Sequence, residues 1–208
     1  DFFLLARDDP ARAWTGYQRS LRIFGELLAK NPEGFEARRN VAMLHYRAGE
    51  TARRLKERGI APPPNIPPPP PSEVAFAESL KIRKELAAID PDDLQTRIDL
   101  MTALARVGDY AEATALAESL RNEAKPDGRS LFQAACGFAL CARDPDPEAA
   151  GKARKNALDG LDALIQQGWN DRVRLETDPD LDPVRSDPRF SEILSRLPKL
   201  PVPAAARK

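Results

Sequence analysis

An all-α fold, a solenoid of about three and a half helical hairpins closed by a C-terminal helical cap, is predicted by three features of this 208-residue chain. The first is apolar spacing. Trp14, Tyr17, Leu21, Phe24 and Leu28 step by three and four, as do Ala37, Val41, Leu44 and Ala48, so each helix has one stripe to bury. The second is an internal repeat: residues 20–50 align without a gap on 79–109, at an offset of 59, with ten of 31 pairs identical. Those pairs include Ser20/Ser79, Leu21/Leu80, Ile23/Ile82, Leu27/Leu86, Pro32/Pro91, Arg47/Arg106 and Gly49/Gly108. The third is punctuation. Asn31-Pro32 and Asp90-Pro91 put a capping side chain before a proline suited to a first helical turn, and Gly49 and Gly108 are expected to close hairpin turns. No segment shows the alternation of a strand.

In chain order, helices are expected near 11–30, 35–58, 72–89, 93–107, 110–124, 129–143 and 148–167, with shorter ones between 171 and 197. Residues 61–71, APPPNIPPPPP, cannot be helical and favour polyproline II. As an insertion inside a repeat they explain an offset longer than the roughly 34 to 42 residues of helical-hairpin repeats. A stiff surface loop is preferred to a docking ligand for an aromatic groove. Near the C-terminus, Asp178-Pro179, Asp182-Pro183 and Asp187-Pro188 each look like a helix cap followed by proline in the first turn. Leu181, Val184, Phe190 and Ile193 should then pack over the last hairpin as a capping element. The expected organisation is one helical-repeat domain over 1–197, with the Pro-rich insertion at 60–71, the capping segment at 171–197 and a disordered tail at 198–208.

Composition bounds the function. Lysine and arginine number 32 against 32 aspartates and glutamates, so the chain as a whole has no pull toward nucleic acid or acidic membranes. No apolar run approaches the roughly 18 residues of a membrane helix, and direct membrane insertion is not expected. The chain opens on Asp1, and Phe2 to Leu5 is too short for a signal peptide; a piece excised from a longer protein is the expectation, cytoplasmic, with the exported side of a membrane-anchored parent as the alternative. Cys136 and Cys141, five apart, neither face one another on a helix nor match a zinc pair, and are expected to be small buried hydrophobes.

Residues 94–126 resemble a tetratricopeptide repeat. Met101 stands where a small residue usually packs, Gly108-Asp109-Tyr110 makes the turn, Ala113 opens the second helix and Pro126 closes the unit. Residues 35–58 show the same frame with Ala42, His45 and Gly49. Over 130–194, SLFQAACGFALCA, LDALIQQGW and DPDLDPVRSDPRFSEIL resemble the closing segment of tetratricopeptide regions in large bacterial serine/threonine protein kinases, notably of planctomycetes. The chain itself has no Gly-rich loop, HRD or DFG sequence. The resemblance therefore implies an interaction module of a signalling protein, binding a protein or peptide, and not phosphoryl transfer. An architectural or oligomerisation element without a separate ligand is the alternative.

Carried onto this chain, the frame puts Glu36, Arg39, Met43, Tyr46 and Arg47 of one hairpin, and Gln95, Ile98, Thr102 and Arg106 of the next, along a concave binding groove. Arginine and tyrosine dominate many interfaces energetically, so Arg39, Tyr46 and Arg47 are the expected anchors. Met43 and Thr102 stand where chaperone-tail-binding repeats carry asparagine. Arg53, Arg54, Lys56 and Arg58 form a basic patch best explained as a solvated helix face. No catalytic residue, cofactor or metal is expected. The only histidine, His45, falls on a packing face, and acidic pairs such as Asp8/Asp9 and Asp92/Asp93 suit helix N-termini. The run Asp178, Asp180, Asp182 suggests a calcium loop, but Pro183 replaces its glycine and Arg189 its bidentate glutamate.

Overall fold

The computed structural model describes Leu4, residues 9–123 and residues 127–198. Phe2, Phe3, Leu5, Asp8, Pro126 and the tail 199–208 lie outside the described residues. Within them the chain is all-helical, with no strand. Nine α-helices are described: α1 (Pro10–Lys30), α2 (Phe35–Arg58), α3 (Ser72–Ile89), α4 (Leu94–Val107), α5 (Tyr110–Arg121), α6 (Gly128–Cys141), α7 (Pro147–Gln166), α8 (Arg172–Thr177) and α9 (Pro188–Ser195), with a 3-10 helix at Pro179–Val184 before the last. The chain divides into two compact units, Asp1–Val107 and Gly108–Lys208.

The first unit packs α1 on α2, α2 on α3 and α3 on α4. Four-residue connections after α1 and α3 turn each helix back on its predecessor. Both expected proline starts are displaced. Asn31 and Asp90 are C-terminal caps, Pro32 and Pro91 sit in the loops, and α2 begins after Gly34 with no side-chain cap. The start of α4 is held instead by Asp93, whose carboxylate accepts from the Thr96 N–H and hydroxyl at 2.7 Å each. Leu4, Ala13, Trp14, Tyr17, Leu44, Ala48 and Ala75 form one apolar cluster joining the first three helices.

Gly49 departs furthest from its predicted role. It lies inside α2 and is buried; α2 runs on to Gly59, which takes φ +61° and ends it. A Cβ at Gly49 would stand 2.6 Å from the Phe76 ring, so the glycine is there for the close approach of α3. Gly108, its repeat counterpart, does end a helix, with φ +94°. The Pro-rich insertion contains no helix and is fastened down: Trp14 Nε1 donates to the Pro67 carbonyl at 2.7 Å, and Ile66 packs on the apolar cluster.

In the second unit α6 is buried almost throughout, from Ser130 to Cys141, and packs on α5, α7 and the 3-10 helix. Both cysteines are buried and unpaired with one another, as expected of small hydrophobes. Leu181, Val184, Phe190 and Ile193 are all buried. Asp178 and Asp187 cap through their carboxylates, accepting from the Asp180 and Arg189 N–H groups. Asp182 does not cap: Pro183 lies inside the 3-10 helix, and the Asp182 carboxylate pairs with Arg185 at 2.9 Å.

Candidate interaction surface on α2 and α4

The nine residues expected to line a groove fall into two groups on α2 and α4. At the N-terminal ends, Glu36 is exposed and lies 3.6 Å from Arg39. Arg39 is half-buried, stacks over Phe35, and donates to Asp93 Oδ2 and, at 2.8 Å, to Thr96 Oγ1. It clamps the start of α4 to α2. Gln95 donates to Asp99 Oδ1 at 2.6 Å, and Thr102 donates to the Ile98 carbonyl at 3.0 Å.

The second group surrounds Tyr46, which is 6% exposed. Its ring packs against Phe76, with centroids 5.7 Å apart, and its hydroxyl accepts from Arg106 Nε at 3.2 Å. The guanidiniums of Arg47, Arg83 and Arg106 lie 5.4, 5.3 and 5.7 Å from the same ring centroid. Arg106 is itself buried, and reaches Glu50 Oε1 at 3.4 Å; Arg53 meets the other carboxylate oxygen at 3.0 Å. Burial pushes the Glu50 carboxyl up, but Arg106, Arg53 and Arg54 outweigh it and hold it below its ordinary value. Glu50 is therefore a buried carboxylate.

Tyr46, Ile98 and the side chain of Arg106 are buried. Met43 is half-buried against the apolar cluster. Accessible surface remains at Glu36, Arg39, Arg47, Gln95 and Thr102. Glu50, Arg83 and Thr96, which help organise the region, were missed, and the one signal for them was the repeated Arg47/Arg106 pair; Asp93 was read as a helix-start carboxylate, as part of the Asp92/Asp93 pair, and is one. A charged residue on an amphipathic helix reads as solvated until its neighbour is known.

Other candidates take structural places. Burial holds the His45 imidazole below its ordinary value, with Glu78 opposing. Burial raises the Cys136 thiol well above its ordinary value, Asp178 and Asp180 adding to it. Among the described residues no three His, Cys, Asp or Glu side chains gather as metal ligands, and no helix is long and apolar enough to cross a membrane. No known family model, curated protein or solved structure matches the chain.

Proposed function

We propose that this chain is a tetratricopeptide-like helical-repeat module that binds a protein or peptide across the exposed side chains of α2 and α4, within a larger bacterial signalling protein. One observation carries the proposal: Arg47 is held beside the Tyr46 ring, whose position is fixed by Phe76 and Arg106. An arginine backed by an aromatic ring on a rigid helix loses little freedom on binding, which is how a few anchors come to dominate an interface. The repeat from α1/α2 to α3/α4 supports a hairpin array, in which the shared face of alternate helices supplies the surface.

The test is affinity capture from host lysate, read by mass spectrometry, with the unmodified chain beside a Glu36→Arg/Arg47→Glu variant of matched far-UV circular dichroism. A protein retained by the first and lost by the second is the expected result. Equal retention, or none, turns the assignment to the architectural alternative. That second function has an observation of its own: Ile23 and Leu27 on α1 are 42% and 47% exposed.

A further inference from the structure

The internal repeat supplies a control for α1, because α3 is its counterpart and both faces of α3 are covered. One face of α3 packs within its own hairpin, where Arg83 donates to the Asp99 carbonyl of α4. The other packs back on α2, where Ser79, fully buried, donates to the Ala42 carbonyl at 2.8 Å. On that second face Ala75, Ser79 and Leu86 are buried and Ile82 is half-buried. The matching residues of α1 are Gly16, Ser20, Leu27 and Ile23. Spaced by four, three and four, they form a single stripe, the seam of a two-helix contact. In α1 that stripe is open: Gly16, Ile23 and Leu27 are exposed and Ser20 is half-buried.

Gly16 adds an independent mark. A Cβ there would meet no described atom within 4 Å, so nothing among the described residues requires glycine at a helix-interior site where it is unfavourable. A second helix approaching closely would require it. Gly25, equally unconfined, lies off the stripe and is not explained by it.

We propose that a second copy of this chain covers the stripe, α1 against α1, antiparallel about a two-fold axis between Leu21 and Arg22. This choice of occupant rests on complementarity. The two-fold sets Gly16 against Leu27 of the second copy and Ser20 against Ile23, so each small residue faces a large one. It also brings Arg19, on the flank away from α2, beside Glu26 of the second copy, and the pair occurs twice by symmetry. Arg22, 2.9 Å from Glu26 in the same helix, is exposed like its partner, which leaves that carboxylate accessible to Arg19 of the other chain. A dimer through α1 is separate from the α2/α4 surface, and its failure leaves the function proposed above untouched.

Sedimentation velocity on the full chain tests it, over roughly the micromolar to millimolar range. The weight-average mass is expected to rise toward twice the monomer with concentration. Leu27→Glu, on an exposed site, should hold the chain monomeric with unchanged circular dichroism. Arg19→Glu and Glu26→Arg should each weaken association about tenfold, and the double exchange should restore it. A constant monomer mass overturns the proposal and leaves the stripe to a different helix. Association indifferent to Leu27→Glu, or not recovered by the double exchange, overturns it equally.

Discussion

Glu50 and Arg106 test how charge is used inside the first unit. Both side chains are almost fully buried, at 2% and 3% exposure, and Arg53 donates to the same carboxylate. Removing one member of such a set leaves an uncompensated charge in a region of low polarity, whereas removing both leaves an apolar contact. Glu50→Leu is therefore expected to destabilise the chain by about 3 kcal/mol, and Arg106→Met by a similar amount. Glu50→Leu with Arg106→Met should recover more than half of that. Urea midpoints of the four proteins measure the coupling, and strictly additive losses would show that the pair is not one unit. Little of this was legible in the sequence. Arg106 matches Arg47 in the repeat, but a repeat reports equivalent backbone positions and not equivalent surroundings. Arg47 stays half-buried, while Arg106 meets both Tyr46 and Glu50. The burial of Tyr46 was no more legible, because nothing near it in sequence announces Phe76.

Helix positions were legible almost to the residue, since they depend on local signals: apolar period, proline and glycine. What ends or separates the helices was legible less well. Gly49 inherited from Gly108 the role of a turn, yet Gly108 has a left-handed backbone and Gly49 sits in mid-helix against an aromatic ring. The two kinds of helical glycine predict opposite responses. Gly49→Ala forces its Cβ into the Phe76 ring and should destabilise the first unit by about 1–3 kcal/mol. Gly25→Ala meets no described atom within 4 Å, so higher helix propensity should stabilise the chain by about 0.5–1 kcal/mol. Thermal melts of the two variants against the parent check the signs directly. In the capping segment the legible part was apolar, the four residues that bury. The illegible part was Arg185, which donates to the carbonyls of Leu175, at 2.9 Å, Glu176 and Asp178, at 2.7 Å, and so ties the end of α8 to the 3-10 helix. Backbone carbonyls at a helix end need donors, but no sequence pattern says which arginine will reach them.

For the whole molecule, overall charge balance conceals an uneven dependence on pH. His45 is the only histidine, and burial keeps its folded pKa below the ordinary imidazole value of about 6.5. The unfolded chain then takes up that proton more readily than the folded one, so stability falls as pH drops through about 6.5 toward the lower folded value. Glu50, Asp93, Asp127 and Asp159 shift in the sense that matters further down. Their folded carboxyls lie below the ordinary range: Glu50 through its arginines in spite of burial, Asp93 chiefly through the Thr96 hydroxyl, Asp127 through the Ser130 N–H, and Asp159 through Lys155 and then Arg189. Stability from these groups is complete only above their ordinary, unfolded values, from about pH 5 upward, and is lost progressively as pH falls through the folded values. Urea midpoints from pH 8 to 3 should accordingly decline in two stages, a shallow one beginning near neutrality and a steep one in the carboxylate range. His45→Gln should abolish the first and leave the second; a decline near neutrality that survives the substitution would mean another group is responsible. Both stages arise from groups that the fold has turned to packing, capping and ion pairing.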